Sequence, residues 1–138
     1  MLTEIISGLW ICDSKEVYNK EIYDDNLINI VINCTINYGY PEIPTIKRLR
    51  IPVSEKLEPN KDIYLLKINI DKILDYINEK IEENNILIFC YDGKIISPLI
   101  VALYMVKYGK LSLDNIRDII RSKNNEICLD LNLSIFLK

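Results

Sequence analysis

The chain has 138 residues, with 17 lysines and arginines, 20 aspartates and glutamates, and no histidine. This length suits one domain, which at this size buries enough surface to fold without a metal or a disulfide. The absence of histidine excludes every catalytic triad built on that residue and removes the commonest general base and metal ligand. The net charge of -3 argues against general binding to nucleic acid, which needs a basic surface.

The four cysteines, Cys12, Cys34, Cys90 and Cys128, are widely separated and lack the paired spacing of zinc ligands or redox motifs. We therefore predict no metal site and no cofactor, and we assign Cys12, Cys34 and Cys128 to packing. The N-terminal residues lack a basic region followed by an apolar run, which predicts an intracellular chain with reduced thiols and no signal peptide. The longest apolar run, residues 97–106, is too short to span a bilayer.

Strand signals dominate the first half of the chain. Two short apolar segments, residues 4–6 and 9–12, flank a Ser-Gly turn pair and predict a hairpin. A polar stretch follows, which we interpret as helical or irregular. Residues 28–34 (INIVINC) are β-branched and apolar and predict a buried strand. Residues 47–53 (KRLRIPV) alternate between polar and apolar and predict a further strand.

Helix signals dominate the second half. From Lys61 onward, apolar residues recur at spacings of three and four and predict a long amphipathic helix; they are Ile63, Leu66, Ile70, Ile73, Ile77 and Ile81. Residues 85–91 (NILIFCY) form a short apolar run that predicts a fully buried strand. A second helix, apolar on nearly all sides, is predicted from a first turn at Pro98 to a C-terminal stop at Gly109.

Two shorter helices are predicted after the apolar one, over residues 112–122 and 130–137, with Ser112 and Asp130 as N-caps. The alternation of strands and helices predicts an α/β domain in layers, with the last strand deep in the sheet. Ligands of such sheets bind at the carboxyl ends of the strands. Because the loop after the last strand enters the most buried helix, its backbone amides and the helix dipole predict an anion pocket.

Five segments of the chain together resemble one family, the dual-specificity protein phosphatases. FCYDGKIISPLIVALYMVKYG resembles the family signature, in which a His-Cys pair begins a loop that ends in Arg and then Ser or Thr. ISGLWIC, INIVINCT and LRIPVSE resemble the first hairpin, the buried strand and the approach to the general-acid loop, and IRDIIRSKNNEICLDLNL resembles the late helices. The resemblance implies one domain over residues 1–138, a central and mostly parallel sheet flanked by helices, within the cysteine-based protein tyrosine phosphatase superfamily.

The resemblance also implies a role for individual residues. Cys90 stands at the position of the nucleophile that attacks phosphorus, and Glu55 stands at the position of the aspartate that protonates the leaving group. The phosphate-binding loop corresponds to Tyr91, Asp92, Gly93, Lys94, Ile95, Ile96 and Ser97. In this loop Gly93 permits the turn and Ser97 supplies the hydroxyl. Two positions depart from the family, because its His is Phe89 here and its Arg is Ile96.

These departures predict a loss of catalysis. A cysteine attacks as the thiolate, which cationic neighbours favour, and Phe89 and Ile96 supply no cation. An arginine on a transferring phosphoryl group is worth on the order of 10³ to 10⁵ in rate, and isoleucine cannot replace its paired donors. Asp92 adds a negative charge to the loop, which Lys94 offsets in part.

The leading hypothesis is therefore a degenerate, catalytically inactive member of the family, a pseudophosphatase that acts as a protein-interaction or phosphoprotein-binding module. The alternative is an active phosphatase of tyrosine-, serine- or threonine-phosphorylated proteins, or of RNA 5′-phosphates, with Cys90 as nucleophile and Glu55 as general acid. The acidic balance of the chain weighs against RNA. A structural homodimer is a third hypothesis.

The remaining residues give weaker indications. Arg48 and Arg50 share one face of a predicted strand, and we interpret them as a solvated edge rather than an anion-binding patch. We interpret Tyr91 and Tyr104 as partly buried structural residues. The abundance of isoleucine and asparagine is a bias that AT-rich codons produce, as in a large DNA virus or a protozoan. We expect a cytoplasmic location, in the host cytoplasm if the chain is viral.

Overall fold

The computed structural model describes residues 2–129 and 132–137. Within them five strands form one sheet: β1 (Thr3–Ile6), β2 (Leu9–Cys12), β3 (Ile28–Asn33), β4 (Lys47–Arg50) and β5 (Asn85–Phe89). Their order across the sheet is β1-β2-β5-β3-β4, and only the β1–β2 pair is antiparallel. β5 therefore lies at the centre, with a parallel partner on each side.

Helices cover both faces of this sheet. Those in the described residues are α1 (Glu21–Asn26), α2 (Tyr64–Lys80), α3 (Ile96–Gly109) and α4 (Leu113–Lys123), with 3-10 turns at Glu16–Tyr18 and Leu133–Phe136. α2, α3 and α4 pack over one face, and α1 packs over the other. This arrangement confirms the predicted α/β fold with a mostly parallel sheet flanked by helices.

The side chains of β5 and of the residue after it alternate between two cores. Ile86, Ile88 and Cys90 belong to the larger core under α2, α3 and α4. Leu87 and Phe89 belong to the smaller core under α1. All five have no exposed area, which explains why this segment is a continuous apolar run. The buried strand predicted here is present, and it places Cys90 at its carboxyl end.

β4 is shorter than predicted, since it ends at Arg50 and not at residue 53. Pro52 has no amide to continue the ladder, so the strand stops before it. Ile51 still donates its amide to the Asn33 carbonyl at 2.8 Å and stays buried. The alternation of polar and apolar residues therefore predicted the burial correctly, although it continues past the end of the strand.

β3 and β5 also end before the predicted residues 34 and 91. The Asn33 side chain accepts the amide of Thr35 at 3.0 Å, and this contact turns the chain after β3. After β5 the amide of Cys90 donates to the Cys12 carbonyl at 3.4 Å before the chain leaves the sheet. Both loops therefore begin at the carboxyl ends of the parallel strands.

The long helices follow the predicted pattern with shifted ends. α2 begins at Tyr64 and not at Lys61, because Pro59–Ile63 form a π-helical turn. α3 has Pro98 in its first turn as predicted, but the left-handed residue that ends it is Lys110, directly after Gly109. The N-cap of α4 is Ser112 as predicted, since its hydroxyl accepts the Asn115 amide at 3.2 Å.

The C-terminal part differs more from expectation. The predicted helix cap Asp130 lies outside the described residues, and within residues 132–137 the structure forms the 3-10 turn Leu133–Phe136 and no α-helix. Cys12 and Cys34 are buried as predicted, but Cys128 is exposed, so its assignment to packing was wrong. Tyr104 is nearly buried and its hydroxyl donates to the Asn78 side chain at 3.1 Å. No helix in the described part of the chain is long and apolar enough to cross a membrane.

Candidate functional site

The loop of residues 90–95 begins where three parallel strands end side by side. The amide of Cys34, just after β3, donates to the Phe89 carbonyl at 2.9 Å, and the amide of Cys90 donates to the Cys12 carbonyl. The loop then enters α3, whose N-terminus carries the positive end of the helix dipole. The structure thus places residues 90–97 at the carboxyl ends of the parallel strands, where α/β proteins bind ligands.

The sulfur of Cys90 is contacted by the loop from several directions. The Gly93 amide donates to it at 3.3 Å and the Ser97 amide at 3.5 Å, while the Ser97 hydroxyl lies 3.1 Å away. Neither Cys90 nor Ser97 has exposed area. Since attack on a substrate requires contact with the sulfur, this arrangement would have to open before any transfer.

Gly93 allows the loop to close around the sulfur. Its φ of +69° lies in the left-handed region, which side chains with a Cβ rarely adopt. A Cβ at this position would also lie 3.1 Å from the carbonyl carbon of Cys12 and 3.2 Å from the amide nitrogen of Asp13. The loop and the end of β2 therefore approach as closely as they do only because this residue is glycine.

The Asp92 carboxylate lies close to the sulfur. Its Oδ1 accepts the Lys94 amide at 2.9 Å, and the Cys90 sulfur lies 3.8 Å from the same oxygen. The carboxylate thus accepts the hydrogen bond of a loop amide that would otherwise be available to a bound anion. Its charge also opposes the entry of a phosphate dianion.

Neither of the two replaced positions provides a cation. Ile96 is 2% exposed and packs into the larger core, while Phe89 has no exposed area and packs into the smaller one. Both side chains serve the interior of the domain. The loop therefore lacks the guanidinium and the imidazole that the sequence resemblance would otherwise lead us to expect.

A polar cavity of about 330 Å³ lies beside the loop. Its charged lining comprises two lysines and three carboxylates: Lys15, Lys94, Asp13, Asp92 and Glu126. Partial burial raises the pKa of Asp13, but hydrogen bonds from the amides of Glu16 and Lys15 outweigh burial and hold this pKa below its usual value. A cavity with this charge balance is a poor receptor for phosphate. Within the described residues no group of three His, Cys, Asp or Glu side chains is placed to hold a metal ion.

Glu55, at the general-acid position, is an exposed residue in a turn. Two residues earlier, the Val53 carbonyl accepts a hydrogen bond from the Tyr91 hydroxyl at 2.8 Å. The structure therefore brings the loop of Glu55 against the loop of Cys90. The Glu55 carboxylate itself makes no hydrogen bond or ion pair with another described residue, so nothing fixes its direction.

Asp62 organises the loop that carries Glu55, although it is not among the predicted site residues. Its buried carboxylate accepts the amides of Ser54 at 3.0 Å and Glu58 at 2.7 Å, together with the Ser54 hydroxyl. Burial raises the pKa of Asp62, but these donors outweigh burial and hold the pKa below its usual value. The available signal was an acidic residue just after Pro59 at the start of a predicted helix, where free amides need acceptors.

Tyr91 and Arg50 connect the site to the loop that follows β3. The Tyr91 hydroxyl accepts the Ile36 amide at 3.0 Å, and its ring centre lies 6.0 Å from that of Tyr38. Arg50 donates to the carbonyls of Thr35 and Tyr38 at 2.9 Å and to that of Ile36 at 3.1 Å. The interpretation of Arg50 as a solvated residue is therefore wrong, since its guanidinium fixes this loop.

Comparison with known proteins assigns the domain to a family. The sequence model described as "Dual specificity phosphatase, catalytic domain" matches residues 9–137. Human dual specificity protein phosphatase 16 is 30% identical over 135 residues, which make up 94% of this chain and 19% of that protein. The chain spans about a fifth of the length of the curated relatives that it matches.

Solved structures share the fold at low sequence identity, among them two human proteins. Human DUSP28 has a TM-score of 0.84 and 15% identity, with 98% of this chain and 88% of that chain covered. Human tyrosine phosphatase-like serine/threonine/tyrosine-interacting protein has a TM-score of 0.82 and 13% identity, with 98% and 91% covered. These two likenesses concern the fold alone. The match over residues 9–137 shows the family, and the chain belongs to the dual specificity phosphatases through their catalytic domain.

Proposed function

We propose that this chain is a catalytically inactive member of its family, a pseudophosphatase that acts by binding a protein. The observation that carries the proposal is the setting of the Cys90 sulfur, which is buried and lies 3.8 Å from the Asp92 carboxylate. Ile96 packs into the core at the arginine position. The loop keeps the backbone frame of a phosphatase without the charges that bind and activate a phosphoryl group.

The missing arginine is the larger defect. Catalysis of phosphoryl transfer depends on fixed positive charge, and an arginine in this role is worth on the order of 10³ to 10⁵ in rate. That factor corresponds to about 4 to 7 kcal/mol of transition-state stabilisation. Lys94 is exposed and carries a single charge on a flexible stem, so it cannot supply the planar pair of donors.

The general acid is the second defect. A positioned acid contributes about 10² to 10⁴ in rate, provided that it reaches the leaving group in a fixed geometry. Glu55 is exposed and has no partner among the described residues that would hold it toward Cys90. The two defects together support a chain that does not turn over substrate.

The binding partner that we propose is a protein recognised without a phosphate group. Asp92 already occupies the Lys94 amide, and the neighbouring cavity contains more carboxylates than lysines. A phosphoprotein would have to displace the Asp92 side chain and then enter an electronegative region. Surfaces outside the loop are therefore better candidates for recognition.

An active phosphatase of phosphoproteins or RNA 5′-phosphates is the second candidate. The observation in its favour is the convergence of the Gly93 and Ser97 amides and the Ser97 hydroxyl on the Cys90 sulfur. Hydrogen bonds to a sulfur nucleophile stabilise its attacking form. This candidate uses Cys90 as nucleophile and Glu55 as general acid, and it requires the Asp92 carboxylate to swing out of the loop.

Hydrolysis of an aryl phosphate and of a 5′-phosphorylated RNA, by the native chain and by Cys90→Ser, separates the two candidates. We expect the same background rate for both proteins. Turnover that disappears with Cys90→Ser would overturn the proposal of inactivity. In a second experiment, calorimetric titration with a phosphopeptide and its unphosphorylated twin should show no phosphate-dependent heat, whereas tight and phosphate-dependent binding would replace the proposed partner with a phosphoprotein.

A further inference from the structure

A second and larger cavity lies on the opposite flank of the sheet from β1, between β4 and α2. Its volume is about 440 Å³ and its lining is mainly apolar. We call it the edge groove; its lining residues are Leu49, Arg50, Ile51, Pro52, Leu65, Asn69, Lys72, Ile73 and Tyr76. The helical members recur at spacings of one, three and four, so they form a single stripe of α2 beside the strand.

β4 leaves one hydrogen-bonding edge free beside this groove. Within the described residues it pairs only with β3. The Ile51 amide donates inward to Asn33, and successive amides of a strand point in opposite directions. The amides of Arg48 and Arg50 therefore point outward, where an added strand can pair with them.

Side chains along β4 alternate between two environments. Leu49 packs against the larger core and lines the edge groove. The guanidinium groups of Arg48 and Arg50 lie on the other side, with their central carbons 5.5 Å and 5.3 Å from the centre of the Tyr40 ring, while part of Arg50 also borders the groove. A strand added at this edge would place every second side chain in the apolar groove and the others beside two guanidinium groups.

The charge of this surface determines which partner it favours. Lys47, Arg48 and Lys72 are exposed, and no carboxylate of the described residues lines the edge groove. The chain as a whole has a net charge of -3, so this is a local basic surface on an acidic protein. Such a surface attracts acidic segments and repels basic ones.

We propose that the edge groove binds an extended segment of a partner protein, which adds to β4 as a further strand and alternates apolar with acidic residues. This inference rests on the proposed function, because it supplies the docking surface of the protein-binding module. The apolar residues of the segment would fill the groove between Leu49 and α2. Its acidic residues would face Arg48 and Arg50 on the other side.

The test uses the full chain and a fluorescein-labelled peptide of alternating valine and glutamate, followed by fluorescence anisotropy. Two control peptides carry lysine in place of glutamate, or the same residues arranged in two blocks. We expect the alternating acidic peptide to bind about tenfold more tightly than either control. Amide chemical shifts of Arg48 and Arg50 should move on binding.

Charge-reversal variants locate the binding surface. Lys72→Glu and Arg48→Glu should each weaken binding of the acidic peptide by about fivefold to tenfold. Lys67→Glu is the matched control, since Lys67 is an exposed lysine of α2 that does not line the groove, and it should leave binding unchanged. Thermal unfolding followed by circular dichroism checks that all three variants are folded.

The proposal is overturned if the acidic peptide fails to bind, if the control peptides bind equally well, or if Lys67→Glu weakens binding as much as Lys72→Glu. It is also overturned if light scattering shows a dimer that Arg48→Glu dissociates, because the occupant would then be a second copy. These failures leave the aryl phosphate result untouched. Conversely, Cys90-dependent turnover of the aryl phosphate would refute inactivity, whether or not the peptide binds the edge groove.

Discussion

The Asp92 carboxylate acts within the loop as a bound anion would. It accepts the Lys94 amide and lies 3.8 Å from the Cys90 sulfur. A turn of free amides at a helix N-terminus attracts negative charge, and here a side chain of the same loop satisfies that attraction. The closed shape of the loop therefore needs no external ligand, which agrees with the proposed protein-binding role.

Asp92→Ala should raise the affinity of the loop for oxyanions. The change removes a repulsive charge and frees the Lys94 amide, and together these effects predict about tenfold tighter binding of inorganic phosphate or vanadate. Calorimetry measures the change. Glu126→Ala is the control, because Glu126 lines the same cavity without contacting the loop amide. Equal gains in both variants would show that the general charge of the cavity matters and the position of Asp92 does not.

Ile96→Arg in the Asp92→Ala background should create measurable hydrolysis of an aryl phosphate. We expect about a hundredfold increase over Asp92→Ala alone, which is less than the full worth of an arginine, because residue 96 packs toward the core. Ile96→Lys should gain less, since an ammonium lacks the paired donors. Cys90→Ser must abolish the gained activity. A folded variant with no such activity would show that the arginine is not the only missing group.

The second family position should not be restored in the same experiment. Phe89 has no exposed area and packs in the smaller core. Phe89→His would place a polar ring there at a cost on the order of 3 kcal/mol. The sequence shows which residues stand at the two positions, but only the packing shows that each side chain lies in a core, so that reversing either departure costs stability.

Among the structural elements, the segment between β4 and α2 links the general-acid position to the rest of the site. Its start is tied to the Cys90 loop through Tyr91 and Val53, and its interior is tied together by Asp62. Glu55 lies between these two fixed points on an exposed turn. The segment is therefore held firmly as a whole while its candidate acid remains free.

Asp62→Asn should lower the free energy of unfolding by about 2 kcal/mol near neutral pH, because an amide cannot accept all the hydrogen bonds of the carboxylate. The donors hold the pKa of Asp62 below the usual 3.8, so its stabilisation is complete above that value and lost as pH falls through the lower, folded pKa. In urea unfolding, the difference between variant and native chain should shrink below about pH 4.

Glu55→Gln is the matched control in the same loop. Its carboxylate is exposed and without a partner among the described residues, so unfolding should change by less than about 0.5 kcal/mol. A larger loss in Glu55→Gln than in Asp62→Asn would contradict the assignment of Asp62 as the residue that organises the loop.

The same elements show what sequence reasoning can reach. Local periodicity predicts β5, α2 and α3, because alternation and helical spacing depend on which faces are buried. The ends of these elements depend on single side-chain contacts, such as that of Asn33 with the Thr35 amide, and the pattern does not contain them. The Asp62 carboxylate accepts the amides of Ser54 and Glu58, which lie eight and four positions earlier; the acidic residue after Pro59 signals an acceptor without identifying these donors.

For the whole molecule, the features that the sequence could not predict are those that depend on how strands and helices are arranged around the sheet. Parallel strands and an anion loop at their ends follow from alternating strands and helices. The pairing order confirms that β4 is an edge strand, as the interpretation of Arg48 and Arg50 as a solvated edge implies. The edge groove and the contacts of Arg50, in contrast, depend on how α2 and the loop after β3 pack beside this strand. The edge strand was therefore predictable, whereas the groove and the contacts that other elements form along it were not.

The reactivity of the four cysteines tests the packing of the whole domain. Cys12, Cys34 and Cys90 are buried, and Cys128 is exposed. Burial raises the pKa of the Cys12 and Cys34 thiols well above its usual value, so little of either is thiolate near neutral pH. We expect iodoacetamide to modify only Cys128 rapidly in the folded chain. The other three cysteines should react only as urea unfolds the domain.

Mass spectrometry of the labelled chain assigns each site, and Cys128→Ser should remove the rapid phase. The decisive residue is Cys90, since an active phosphatase must expose its nucleophile to substrate. Rapid labelling that persists in Cys128→Ser and disappears when Cys90→Ser is added would mean that the loop opens in the native state. Slow labelling of Cys90, at the rate of the interior thiols Cys12 and Cys34, would instead tie its accessibility to unfolding of the whole domain, as expected of a sulfur that has no catalytic task.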